Sequence, residues 1–119
     1  MELYGPHSAL LMRMMSTATE RSRVIAGNIA NQNTPGFKRQ TIEFESLLTE
    51  ELRRNRPELE RVKPERQSDR VSPSRPNGNN VAMEREVAAM RENLLRYEMY
   101  STIMRGNTNI IQSAINGDR

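Results

Sequence analysis

His7 is the only imidazole in the chain, and no nucleophile or second titrating group stands at motif spacing to use it. General acid–base work needs such a partner within hydrogen-bond reach, so a lone histidine near the start of the chain reads as a surface residue. Cysteine is absent, which removes thiolate catalysis, disulfides and zinc–thiolate sites. It fits a cytosolic or an exported protein equally well. No H-E-x-x-H, G-x-S-x-G or glycine-rich phosphate loop occurs. The acidic residues are scattered on faces expected to be exposed, whereas paired catalytic carboxylates need a cleft. The chain therefore reads as no enzyme, with no catalytic residue, cofactor or metal ligand.

Positive charge is the next candidate chemistry. The net charge is +3, and the stretch from Glu51 to Pro76 holds eight Arg or Lys against five acids. A nucleic-acid patch would use such a cluster. Here the signs interleave and no aromatic lies among them for base stacking. The stretch reads as a solvated polar linker, and no salt-sensitive retention on DNA is expected.

One polar constellation does carry a mechanism: Asn28-Ile-Ala30-Asn31-Gln-Asn-Thr34-Pro35-Gly36-Phe37-Lys38. Asn28 and Asn31 lie three apart and share a helix face. Their amides can bond the backbone groups that a helix end leaves without partners. Pro35-Gly36 suits the two central positions of a type II turn, with glycine supplying the positive φ. Phe37 then returns to an apolar contact.

The elements that must position this loop follow from composition and periodicity. At 119 residues, 35% hydrophobic and 4% aromatic, the chain supports at most one small domain and no thick core. Thin helix-on-helix packing suits it, and the fold class expected is mainly α. Eight methionines fit either a Met-rich helical core or surfaces that meet more than one partner. Residues 1–33 form the first zone. Leu11, Ala18, Ile25 and Gln32 recur every seven residues from His7 to Asn33, an amphipathic helix pattern interrupted by Arg21, Ser22 and Asn28. Pro6 fits its first turn, and Pro35-Gly36 ends it.

Residues 34–80 form the second zone. Phe37–Phe44 alternates loosely and suits a short strand, and Ser46–Arg54 suits a short helical turn. Pro57, Pro64, Pro73 and Pro76 exclude a continuous helix beyond that. Extended or short-strand structure, or disorder until a partner arrives, is expected there.

Residues 81–119 form the third. Met83, Val87, Met90, Leu94, Tyr97, Ser101, Met104, Thr108, Ile111 and Ile115 follow a 4-3-4-3 spacing, a heptad seam on a helix of roughly 50 Å. That seam is expected to face the first helix. Asn79 or Asn80 is expected to cap the start, and Gly117 to stop it. Leu95, Met99, Ile103, Gly106 and Ile110 form a second stripe roughly opposite the first. A helix apolar on two faces must be covered on both, so another copy or a multi-subunit bundle is expected to cover the second. No apolar run reaches the length a bilayer needs, so an integral membrane protein is not expected. The start, Met1 to Pro6, has no basic n-region followed by an apolar stretch, and no cleavable secretory signal is expected.

Asn28, Ala30, Asn31, Thr34, Gly36, Phe37 and Lys38 match A-N-x-x-T-x-G-F/Y-K, the signature that follows the N-terminal helix of flagellar rod and hook proteins. A second segment, Asn77-Gly-Asn-Asn-Val-Ala-Met-Glu-Arg-Glu86, followed by Glu92-Asn93 and Arg96-Tyr97, resembles the D-G-N-N-V-D-L/M-x-x-E opening of the C-terminal helix in proximal-rod members. Asn77 and Ala82 stand where that pattern carries acids, which weakens electrostatic support at the helix start. The chain's length is similar to that of the short rod members, since distal rod and hook members carry large insertions. The resemblance covers roughly residues 1–45 and 77–116.

The resemblance implies a structural subunit of the bacterial flagellar rod, in the periplasmic basal body, exported unfolded through the flagellar type III apparatus without signal cleavage. It implies terminal helices pairing as a coiled coil. It implies contacts with further copies, other rod proteins, the rod-base adaptor FliE, the export gate and the membrane ring. A sister short rod protein, or a cytosolic helical-hairpin adaptor or chaperone, is the alternative; the adaptor would explain both helices but not the Asn-Thr-Gly loop.

Overall fold

The computed structural model describes the backbone of residues 6–117 and the side chains of residues 8–106 and 112–117. Helix α1, Pro6–Ala30, opens on a proline whose φ already suits a first turn. It stops three residues short of the expected Asn33. The Asn31 N–H still reaches the Gly27 carbonyl at 3.0 Å, but Gln32 and Thr34 bond Ile29 and Asn31 in tighter three-residue turns. The Asn31 side chain also donates to the Gly27 carbonyl at 2.8 Å, supplying a partner at the helix end. Pro35-Gly36 then forms the type II turn. The Phe37 N–H meets the Thr34 carbonyl at 3.2 Å, with Gly36 at φ 75°.

Strand β1, Gln40–Glu43, pairs antiparallel with β2, Glu65–Ser68, in a register running from Gln40↔Ser68 to Glu43↔Glu65. The edge of β1 away from β2 is closed by α1 rather than by a third strand. Asn28 presents its side-chain amide as a strand would present a peptide. Its Nδ2 donates to the Gln40 carbonyl and its Oδ1 accepts the Gln40 N–H, both at 2.8 Å. Two turns earlier on α1, Arg21 donates to the Ile42 carbonyl at 3.0 Å. Helix α2, Glu45–Leu52, and a single 3₁₀ turn, Leu59–Arg61, follow β1.

The middle segment is thus folded onto α1. Phe44, Leu48 and Val62 are buried, and Leu10, Met14, Leu47 and Leu59 pack against them. Arg13 stretches over this small core. Its guanidinium sits 5.5 Å from the Phe44 ring centroid and donates to the Leu59 and Val62 carbonyls, which sequence separation of more than forty residues would otherwise leave far away.

Helix α3, Met83–Asn116, ends at Gly117 with φ 73°, the expected stop. Its start departs from expectation: neither Asn79 nor Asn80 caps it. Ala82 occupies the cap position without a side-chain bond. The asparagines lie too far upstream, and their amides are spent on other segments. α3 runs antiparallel beside α1. Glu86 meets Asn28, and Asn93 Nδ2 donates to the Ala18 carbonyl at 2.6 Å and the Ser22 hydroxyl at 2.8 Å. At about 1.5 Å per residue in both helices, this register sets Pro6 opposite roughly residue 107, so the last turns of α3 project past α1. The molecule is correspondingly long and flat, 65 × 36 × 17 Å.

The side of α3 that faces α1 is not the apolar seam. Glu86, Asn93 and Tyr100, seven apart, are buried there. The seam sits about 50–100° round the helix: Val87 is 37% exposed, Leu94 57% and Tyr97 39%, and Ile115 is exposed as well. Met83, Met90 and Met104 are half-buried. On α1 the expected positions do turn inward, Ala18 and Ile25 fully and Leu11 in part. Polar groups that find partners outcompete apolar ones for the contact, because α1 offers a serine, an asparagine and a free carbonyl lone pair at matching heights. The Ile111 side chain lies outside the described residues.

Candidate functional site

The two signature segments meet each other and form a polar clasp. Arg39, just before β1, is its centre. Its Nε donates to Glu86 Oε1 at 2.7 Å and its Nη1 to Asp69 Oδ2 at 3.2 Å. Its backbone N–H donates to Asn80 Oδ1 at 2.7 Å. Glu86 is 0% exposed, and its second oxygen accepts from Asn28 Nδ2 at 3.2 Å. One buried carboxylate therefore ties α1, the approach to β1 and α3 together. Burial alone would lower the affinity of Arg39 for its proton, but Glu86 and Asp69 outweigh it and raise the pKa.

The asparagines sequence reasoning took for helix caps serve this clasp. Asn79 Nδ2 donates to the Asn31 carbonyl at 2.9 Å and the Thr34 carbonyl at 2.8 Å, while its Oδ1 accepts the Val81 N–H at 2.8 Å. Asn80 Nδ2 donates to the Asp69 carbonyl at 2.7 Å, and its own N–H reaches the Phe37 carbonyl. Both are buried, and each amide uses its nitrogen as a donor and its oxygen as an acceptor. Lys38 reaches the Ser74 hydroxyl at 2.7 Å and the Gly78 carbonyl. Arg75 donates to the Val81 carbonyl at 2.8 Å and to the Gln32 carbonyl.

Two glycines let the loops approach. Gly36 and Gly78 both have positive φ, 75° and 85°. A Cβ on Gly78 would stand 3.3 Å from the Gly36 Cα, so the facing backbone would have to give by a few tenths of an ångström. The Gly36 N–H donates to the Asn77 carbonyl at 2.8 Å across this contact.

Asp69 closes the clasp on its outer side. The Ser72 hydroxyl and N–H, the Val71 N–H and Arg39 all donate to it. These bonds hold its carboxyl far below the usual carboxylate range. Glu45 is lowered as well: burial works against it, but hydrogen bonds from Arg21 and its own backbone, with Arg96 nearby, prevail. A carboxyl whose folded pKa is depressed stabilises the fold at every pH above its unfolded value and loses that contribution as the pH falls. Urea-unfolding midpoints are therefore expected to be flat from neutral pH to about pH 5 and to fall steadily below about pH 4, where free carboxyls titrate. Asp69→Asn removes part of that slope. A midpoint unchanged between neutral pH and strong acid would contradict this assignment.

Of the loop residues, Asn28 is buried, Asn31, Phe37 and Lys38 are half-buried, and Ala30, Thr34, Pro35 and Gly36 are exposed at the tip. The Thr34 hydroxyl donates to Asn31 Oδ1 at 3.1 Å. The second stripe on α3 lies open: Leu95 is 65% exposed, and Met99 and Ile103 are exposed too. The Ile110 side chain lies outside the described residues. Sequence reasoning missed Arg39, Asp69 and Tyr100, and quoted Asn93 only as part of the family match. The seven-residue recurrence of Glu86, Asn93 and Tyr100 was the one available signal.

Among the described residues no three or more His, Asp or Glu side chains come together to hold a metal ion, and no helix is long and apolar enough to cross a membrane.

A family model described as flagella basal body rod protein matches residues 11–38, which takes in most of α1 and the loop. Curated relatives extend the likeness along the chain. A protein of Borreliella burgdorferi named flagellar basal body rod protein FlgB is 33% identical, covering 76% of this chain and 82% of its own. The protein of the same name from Bacillus subtilis is 26% identical over the full length of both. That of Escherichia coli is 29% identical, covering 83% of this chain and 88% of its own.

Proposed function

The chain belongs to the FlgB family of flagellar basal-body rod proteins, and from that premise we propose how its geometry serves a rod. As a member it is a structural subunit located in the flagellar basal body, assembling with other rod components. We propose that it crosses to its site through the flagellar type III apparatus in unfolded form, and that no signal peptide is cleaved. The thin core and the lack of cysteine support this, because a marginally stable chain without disulfides is easy to thread. At its destination it polymerises by helix packing, and links the membrane ring and export gate, with the adaptor FliE, to the rest of the rod.

The observation that carries this reading is the outward side of α3. Leu95, Met99 and Ile103 are exposed on a helix whose opposite side is already taken by α1. Exposed large apolar side chains aligned along one helix mark a surface that something covers. The neighbouring rod subunit is that cover. The exposed tip at Thr34, Pro35 and Gly36 touches a second neighbour, held at a fixed angle by the clasp beneath it. The division into a folding unit of residues 1–33 with 81–119, carrying residues 34–80 on its flank, belongs to the same reading.

Leu95→Asp with Ile103→Asp tests it. Both positions are exposed, so the purified double variant keeps its helix content and unfolding midpoint. Cells carrying it in place of the wild-type chain are expected to lose swimming on soft agar, and their isolated basal bodies to lack a rod. Normal motility would mean that this face is not a subunit interface.

A further inference from the structure

The rod reading uses the side of α3 marked by Leu95 and Ile103, and leaves the exposed seam positions Val87, Leu94 and Tyr97 without an occupant. We infer that the free subunit closes this seam with a second copy of the same chain, α3 against α3, antiparallel. The inference goes beyond the rod reading and does not rest on it.

Two observations lead there. First, Val87, Leu94 and Tyr97 keep the 4-3 spacing of a helix-pairing seam, yet α1 covers only one flank of it, at Glu86, Asn93 and Tyr100. Second, the other flank carries Glu84, Arg91, Glu98 and Arg105, seven apart, all exposed, with charges alternating in sign. Residues on a helix surface meet partners three and four positions away. Those positions around Arg91 are Val87, Ala88, Leu94 and Leu95, and around Glu98 they are Leu94, Leu95, Ser101 and Thr102. No opposite charge on α3 itself reaches either.

The flanking charges choose the orientation. In a parallel pair each flank faces the opposite flank of the partner helix, so the charged row would meet Glu86, Asn93 and Tyr100, which lie buried against α1. In an antiparallel pair the same flanks face each other. Arg91 then stands opposite Glu98 of the second copy, and Glu84 opposite Arg105, each twice by symmetry. The seam layers become Leu94 with Tyr97, Val87 with Met104 and Met90 with Ser101 of the second copy. Sliding one helix by a heptad sets Arg91 against Arg91, so the charge row also selects the register.

A polar rod needs every subunit pointing the same way, so this pair is a form of the unassembled chain. It hides an apolar seam until a subunit is taken up. A single-helix contact with four exposed ion pairs is weak and reversible, which suits that use.

The test is made on the purified full chain. Sedimentation equilibrium is expected to show a monomer–dimer exchange. Arg91→Glu turns two attractive pairs repulsive and raises the dissociation constant at least about tenfold. Arg91→Glu with Glu98→Arg restores it to within about threefold of the original. Because the chain has no cysteine, a short bis-maleimide reads the orientation independently of those variants. It links Glu84→Cys copies to Arg105→Cys copies and does not link Glu84→Cys copies to one another. A monomer up to the solubility limit, a double variant that stays monomeric, or linking of Glu84→Cys copies to each other would each overturn the proposal. None of these bears on the Leu95 and Ile103 test, which reads assembly in cells.

Discussion

Arg39→Met is expected to cost about 3–5 kcal/mol of folding stability, because it strands a buried carboxylate. Glu86 is fully enclosed and spends one oxygen on Arg39 and the other on Asn28. Without the guanidinium, that charge has no counter-ion in a medium of low effective dielectric. A chain of this size has about 5–15 kcal/mol in all, so a large share goes. Urea unfolding followed by circular dichroism measures it. A second variant separates the lost ion pair from mere loss of packing. Arg39→Met with Glu86→Met removes both charges, and is expected to recover more than half of the loss. A single variant within about 1 kcal/mol of wild type would show that Glu86 is solvated and the clasp unimportant.

Phe44→Ala is expected to cost a similar amount, about 3–5 kcal/mol, by a different route. Among the described residues Phe44 is the largest fully buried side chain. It fills the space between α1 and the α2 region beside Leu48 and Val62, under the Arg13 guanidinium. An alanine leaves a cavity at the centre of this small core, whose remaining ties to α1 are the polar contacts of Arg13 and Arg21, so the damage stays local. α2 and the 3₁₀ turn come off α1, while the clasp between β1 and α3 holds. Trypsin separates the two variants, because Arg53, Arg54 and Arg61 lie exposed in this region. In Phe44→Ala, cleavage there accelerates ahead of global unfolding. In Arg39→Met, cleavage follows global unfolding throughout the chain. Equal protection of the middle segment in wild type and Phe44→Ala would remove the case for that core.

What the sequence made legible was local. The helices, the Pro35-Gly36 turn, the short strand after Phe37 and the Gly117 stop all rest on interactions within a few residues, and their signals are in the residue types themselves. The loop at Asn28–Lys38 and the segment from Asn77 to Glu86 stood out as motifs for the same reason. What they bind to was not legible. Asn79 and Asn80 look like caps because caps are the commonest use of asparagine before a helix. Here their partners lie more than forty residues away for Asn79 and about forty for the Arg39 contact of Asn80. The α3 seam shows the same limit. Apolar periodicity identifies a face that wants covering, but does not say by whom. The polar side won the contact with α1 through hydrogen bonds that periodicity does not weigh.

The polar clasp also has a consequence for the order of folding. Contacts that seat β1 and α2 on α1 join residues 12 to 24 apart, whereas those that seat α3 join residues 58 to 75 apart. Closing the longer loops costs more chain entropy before any contact repays it, and long-range contacts slow folding. α1 with the middle segment forms first and draws Arg39 and Asn28 into place as a ready-made receptor. α3 arrives last and, with few apolar anchors on that side, is the first element to leave. In hydrogen-exchange experiments its amides are therefore expected to open ahead of those of α1. The helix that presents both apolar strips is the part of the molecule freest to change its partner.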